Sequence, residues 1–189
     1  MKKSALFVIV FAIGSAFLFA CASFNEEPDA QALEHYHLAG DYAAQGQMNL
    51  AIGEYTKAII IDPEYAPAYS DRGVAYRRIG DLEQAIADFD QAIALDPDFA
   101  FAYSNRGLVF AQKGDLDRAI ADFDQAIGLA QYVNVYLARA DVYVEKGDFD
   151  RAINDYSQAI ALDPEYAFAY SIVGSSTTTK MISFMLWLI

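Results

Sequence analysis

Between Ala32 and Tyr166 the apolar positions follow the rhythm of helices, and that rhythm restarts four times. In the stretch from Leu82 to Leu95, residues Ala85, Ile86, Phe89, Ala92 and Ile93 fall three and four apart, which gathers them on one face of a helix. The stretch before it, from Ala66 to Arg78, carries Tyr69, Val74, Ala75 and Tyr76 and is closed by Gly80, a left-handed helix stop. Asp81, with Gln84 three residues on, has the form of a capping box that opens the next helix. Asp115 and Asp148 repeat that cap, and Gln47 is a weaker version of it. Pro63, Pro97 and Pro164 each end a second helix, because proline cannot continue the hydrogen-bond ladder. The pattern predicts an all-α chain built from helix pairs.

The pairs are copies of one another. The phrases GQMNLAIGEYTKAIIIDP, GDLEQAIADFDQAIALDP, GDLDRAIADFDQAIGLA and GDFDRAINDYSQAIALDP open at Gly46, Gly80, Gly114 and Gly147, at spacings of 34, 34 and 33 residues. A fixed period of this length means one supersecondary unit stacked on itself, with each unit burying its apolar face only against its neighbours. Function is then expected along an extended surface rather than in a catalytic pocket. The four units span 32–65, 66–99, 100–132 and 133–166. The third is one residue short and reads Leu129-Ala130-Gln131-Tyr132 where the others have proline, so its turn into the fourth is predicted to differ.

Counted from the start of each unit, the aromatic, small and proline positions resemble the tetratricopeptide repeat. The second unit places Tyr69, Gly73, Tyr76, Ala85, Phe89, Ala92 and Pro97 on the signature sites of that family. The third offers Tyr103, Gly107, Phe110, Ala119, Phe123 and Ala126; the fourth Tyr136, Ala140, Tyr143, Ala152, Tyr156, Ala159 and Pro164; the first His35, Ala39, Tyr42, Ala51, Tyr55, Ala58 and Pro63. The resemblance implies a right-handed superhelical solenoid of helix-turn-helix hairpins whose concave face is lined by first-helix residues and takes up a partner protein. On that reading the groove candidates are Tyr36, Arg77, Arg78, Phe101, Ser104, Leu108, Gln112, Leu137 and Asp141. Relatives that grip a C-terminal carboxylate use lysine and asparagine at the fifth and ninth positions of a unit. Here those positions hold Tyr36, Ser70, Ser104 and Leu137, and Gly40, Val74, Leu108 and Asp141, so that clamp is not expected.

Polar residues add little chemistry. Arg72, Arg106 and Arg139 share one repeat position, and Asp88, Asp122 and Asp155 share another, which suggests ion pairs between the two helices of a unit, exposed and weak. The first unit has Leu38 and Glu54 at those positions. His35 and His37 sit two apart, on nearly opposite sides of a helix, and cannot converge on a metal. Nothing resembles a nucleophile with its base, a phosphate loop or a calcium loop, so neither catalysis nor a cofactor or metal is expected.

The ends and the charge bear on location. A formal charge of −13 disfavours nucleic acid and favours basic partners by steering. Lys2 and Lys3 followed by the apolar run from Ala5 to Ala20 read as an export segment (1–21). Leu18-Phe19-Ala20-Cys21 resembles the lipobox of bacterial lipoproteins, which would make Cys21 a lipidated mature N-terminus. Ala20-Cys21-Ala22 also fits an ordinary signal-peptidase site, and an uncleaved anchor is the third reading. Residues 22–31 form a polar tether, and by analogy with lipoprotein sorting Ala22 after Cys21 permits outer-membrane delivery. Residues 167–189 begin a fifth unit at AFAYSIVG and then turn into a divergent apolar tail. The expectation is a non-catalytic, membrane-anchored interaction scaffold of the bacterial cell envelope, with the repeats outside the cytoplasmic membrane. The alternative is the N-terminal fragment of a longer repeat protein whose missing part carries an enzymatic or signalling domain. Self-association through the uncapped C-terminal end is a further expectation.

Overall fold

The structure, a computed structural model, describes residues 28–165; the export segment with Cys21, most of the tether and the apolar tail lie outside the described residues. Eight helices follow in order: α1 (Ala30–Ala44), α2 (Met48–Ile61), α3 (Ala66–Ile79), α4 (Leu82–Leu95), α5 (Ala100–Gln112), α6 (Leu116–Leu129), α7 (Val133–Lys146) and α8 (Phe149–Leu162). Each odd helix packs on the even helix that follows it, and each hairpin packs on the next. The chain is an all-α solenoid, with no strand among the described residues.

Caps and stops fall where the sequence places them. Asp81, Asp115 and Asp148 accept the backbone N–H groups of Gln84, Arg118 and Arg151, whereas Gln47 makes no side-chain cap. Gly80 takes a φ of 85° after α3, a conformation that glycine adopts without a Cβ penalty. One boundary moves: α1 begins at Ala30, not at Ala32, because the Asp29 carboxylate accepts the N–H of Gln31 at 2.9 Å and starts the helix two residues inside the predicted tether.

The third junction differs as predicted. After α2 and α4, Asp62 and Asp96 turn the chain, and each side chain accepts the N–H two residues on, at 3.1 Å. After α6 the chain runs extended through Ala130 (ψ 130°), and the residue before α7, Tyr132, has ψ 131° where Tyr65 and Phe99 have 84° and 79°. Without Pro and Asp, that turn lacks the side-chain acceptor of the others and keeps the Tyr132 N–H to Ala130 carbonyl bond of 3.1 Å.

Inside each unit small residues let rings fill the helix interface. A Cβ on Gly73 would lie 2.9 Å from Phe89 and 3.2 Å from the Ala85 carbonyl; one on Gly107 would lie 2.8 Å from Phe123 and 3.2 Å from the Ala119 carbonyl. Phe89 and Phe123 are fully buried as a result. In the first and fourth units the same place is shared by Ala39 with Tyr55 and by Ala140 with Tyr156.

The repeated ion pairs are not the exposed contacts expected from the sequence. Arg72, Arg106 and Arg139 each clamp the carboxylate of Asp88, Asp122 and Asp155 with two hydrogen bonds of 2.7–2.8 Å, and the three aspartates are 6%, 6% and 1% exposed. A third donor on each guanidinium reaches the preceding unit, at Thr56 (3.0 Å), Asp90 (2.5 Å) and Asp124. Each arginine also lies against the aromatic rings of its own helix, Tyr69 and Tyr76 for Arg72 and Tyr103 and Phe110 for Arg106. The arginine ladder is therefore structural, pinning three helices at once.

Candidate partner-binding groove

Successive first helices touch, α3 with α5 and α5 with α7, and no pair of second helices meets comparably. Closer spacing on the first-helix side curves the stack, so the first helices line its inner face. The residues proposed for a groove lie on that face by their helix, but their surroundings divide them.

Phe101 is 46% exposed, with its ring 6.2 Å from that of Phe99. Gln112 and Arg78 are exposed, and Leu108 and Arg77 are partly buried. Tyr36 is half-buried among aromatic neighbours, 5.1 Å from the Tyr65 ring and 5.7 Å from the Tyr55 ring, and its hydroxyl donates to Asp71 Oδ2 at 2.7 Å. These six present at least part of their side chains. Leu137 does not: at 3% exposure it belongs to the apolar cluster of the last unit, with Tyr136, Ala140 and Tyr156. Ser104 is also buried, its hydroxyl donating to the Phe101 carbonyl at 3.0 Å. Asp141 accepts the Tyr156 hydroxyl at 2.6 Å, so it holds the ring that stands across from Ala140. Leu137 and Ser104 are corrected from groove contacts to supports, because both are buried at the fifth position of their units; Asp141 is partly exposed, with one carboxylate oxygen committed to Tyr156.

One concavity forms where the first two units meet. A cavity of about 230 Å³ is lined by Gly40, Ala43 and Ala44 of α1, Met48 and Tyr55 of α2, and Asp71, Val74, Ala75 and Arg78 of α3. Of these, the groove candidates read from the sequence include Arg78 but not Asp71, because the sixth position of a unit is not among the groove positions that the resemblance names. A signal was present: that position reads His37, Asp71, Asn105 and Ala138, and only one of the four is a carboxylate. Burial pushes the Asp71 carboxyl above its ordinary range, opposed by the hydrogen bond from Tyr36. The same burial, with Asp71 nearby, pushes the Tyr55 phenol up to about 12. Arg77 is held below the ordinary guanidinium value by burial and by the neighbouring Arg78. A larger but open hollow, lined by Lys113, Asp115, Asp117 and Lys146, marks where ion pairs tie neighbouring hairpin tips, Lys113 to Glu83 and Lys146 to Asp117.

His35 and His37 part as expected: His35 Nδ1 lies 2.7 Å from Glu54, and the His37 ring meets Tyr36 edge-on. No group of three or more potential metal ligands forms among the described residues.

A family profile described as TPR repeat matches residues 41–80, 75–114 and 140–174, and one described as tetratricopeptide repeat matches 100–132. The chain belongs to the tetratricopeptide repeat family. No curated protein sequence matches it. Among solved structures it is similar to the crystal structure of MamA, at 28% identity and a TM-score of 0.67, over 72% of this chain and 80% of that one. It is similar also to TTC0263, a thermophilic TPR protein in Thermus thermophilus (28% identity, TM-score 0.64, 71% of this chain and 75% of that one). A third similar structure is the first TPR of Spaghetti (RPAP3) bound to the HSP90 peptide SRMEEVD, with 25% identity and a TM-score of 0.60 over 62% of this chain and 94% of that one. The fold of this tetratricopeptide array is thus a right-handed solenoid, of a kind that serves as a scaffold for protein–protein interaction.

Proposed function

We propose that the chain is a non-catalytic scaffold of the bacterial cell envelope, held at a membrane through Cys21, and that it binds a segment of another protein along the inner face of its first helices. The observation that carries this reading is the exposure of large side chains on that face. Phe101, at the second position of its unit and outside the core register, leaves nearly half of its surface in water, whereas Phe110 and Phe123 of the same unit are buried. Buried aromatic anchors carry much of the energy of interfaces. The RPAP3 repeat, bound to its peptide, shows a structure of this shape occupied by such a segment. Membrane attachment rests on the lipobox-like sequence before Cys21 and on the apolar run that precedes it.

A photocrosslinking residue placed at Phe101 or at Gln112 is expected to capture one and the same partner in cells, and a residue at Asp117, on the second-helix side with 86% of its side chain exposed, is expected to miss it. Equal capture from all three positions would end the groove reading. Attachment is checked separately: Cys21→Ser should release the protein from the membrane fraction and abolish fatty-acid labelling, and unchanged labelling would overturn the lipid anchor.

A further inference from the structure

Among the described residues, eight of the ten lysine and arginine side chains are ion-paired to a carboxylate, and the two that are not are adjacent, Arg77 and Arg78 at the end of α3. In a chain with twice as many acidic as basic residues, 26 against 13, unpaired arginines are the exception that needs a reason. Arg77 Nε is, in addition, buried without an acceptor. The same helix holds the converse. Asp88, Asp122 and Asp155 each face an arginine, whereas Asp71 receives only the neutral Tyr36 hydroxyl, on Oδ2, and its Oδ1 takes no hydrogen bond.

Asp71 and Arg78 line one cavity without pairing with each other. Seven residues apart, with Val74 between, they lie on one face of α3 and about 10 Å apart along its axis. The opposite wall is made of Gly40, Ala43 and Ala44, which leave room for an incoming side chain. A purely basic segment would meet Arg78, and a purely acidic one would meet Asp71; each would set like charges together in a partly desolvated groove. A segment with one charge of each sign satisfies both.

We propose that this cavity receives a partner helix carrying one cationic and one carboxylate side chain at positions i and i+7, the cation on Asp71 Oδ1 and the carboxylate on Arg78. The proposal rests on the groove reading above and adds the chemistry of its occupant.

The test uses the full chain and three labelled alanine-based helical peptides bearing Lys/Glu, Lys/Lys or Glu/Glu at i and i+7, with fluorescence anisotropy as readout. The Lys/Glu peptide is expected to bind at least about fivefold more tightly than either like-charged peptide. Asp71→Asn, whose amide oxygen still accepts from Tyr36, should erase the preference over Glu/Glu and keep the preference over Lys/Lys. Arg78→Gln, at an exposed position that does not endanger folding, should do the reverse. A merely structural role for either residue would lower all three affinities together. Equal affinities, absence of binding by all three peptides, or variants that fail to give the crossed pattern would overturn the charge pair. The groove reading would then still be decided by the crosslinks from Phe101, which lies in the third unit, away from this cavity.

Discussion

The first hairpin and the three that follow are built on one plan but held together differently. In the later units a single arginine binds the buried aspartate of its own second helix and reaches back to the second helix of the unit before. In the first unit Leu38 stands at the arginine position, 40% exposed, and Glu54 is bound instead by His35 and Lys57 at 2.7 and 2.6 Å. Among the described residues no unit precedes α1, so an arginine there would have no third partner. The difference teaches that the repeated charge is an inter-unit device: it appears where there is a neighbour to hold and is replaced by a local, more exposed pair where there is none.

The largest effect should come from breaking one pin. Arg106→Leu leaves Asp122 buried and unpaired, and removal of one partner of a buried pair costs about 3–5 kcal/mol. His35→Ala in the first unit removes a half-exposed contact and should cost under about 1 kcal/mol. Urea unfolding followed by circular dichroism measures both. The double variant Arg106→Leu/Asp122→Leu should recover much of the loss, since an apolar replacement of a buried pair is often neutral. Similar costs for Arg106→Leu and His35→Ala would erase the distinction between the units.

Packing draws the second contrast. Gly107→Ala puts a methyl group 2.8 Å from Phe123, against a ring that is fully buried and a backbone carbonyl at 3.2 Å, so neither neighbour has room to yield. Overpacking of this kind costs about 1–3 kcal/mol. Gly40→Ala, on α1, meets nothing within 4 Å and should stabilise the helix by about 0.5–1 kcal/mol. Opposite signs in the two units are the expected result of thermal melts; a tolerated Gly107→Ala would mean that the first and third units pack alike.

A smaller step concerns the caps. Gln47 occupies the N-cap of α2 with backbone angles close to those of Asp81 (φ −87° against −83°) but its side chain accepts no first-turn N–H, and the first turn of α2 holds no acid. Gln47→Asp should add about 0.5–1 kcal/mol in the same unfolding assay. No gain would show that the start of α2 is limited by something other than its cap.

Much of this contrast was legible in the sequence, because it lies in local signals. Glycine stops, aspartate caps, prolines and the period itself each act within one turn of helix, so boundaries followed to within two residues even where Asp29 moved one. The sequence also shows Leu38 and Glu54 breaking the arginine–aspartate register. What it did not show is depth. Asp88, Asp122 and Asp155 look like solvated helix faces in a linear pattern, yet each is buried against the arginine of its own first helix, and only the packed hairpin decides that. Leu137 and Ser104 share the fifth repeat position with Tyr36 and Ser70, and of the four only Tyr36 keeps part of its surface, which a linear pattern does not show. Asp71 escaped because its meaning comes from the neighbouring unit, from Tyr36 and the small residues of α1 that hollow out the cavity.

Asp71 also supplies the weakest and most specific test. The first junction joins the neutral Tyr36 hydroxyl to a carboxylate and Arg72 to the neutral Thr56 hydroxyl, whereas each later one joins a guanidinium that stays charged to a carboxylate of the unit before. Burial raises the Asp71 carboxyl above its unfolded value near 4, so the folded state binds more protons than the unfolded state between those two values. Stability from this group therefore falls as pH rises through that window, and its cost is fully present above the folded value. Asp71→Asn removes the ionisation and keeps an acceptor for Tyr36. The difference in unfolding free energy between the variant and the parent should accordingly move in favour of the variant as pH is raised from 3 to 7, by less than the cap substitution yields. A difference that stays flat, or moves the other way, would mean that the carboxylate is as well compensated as those of the later units.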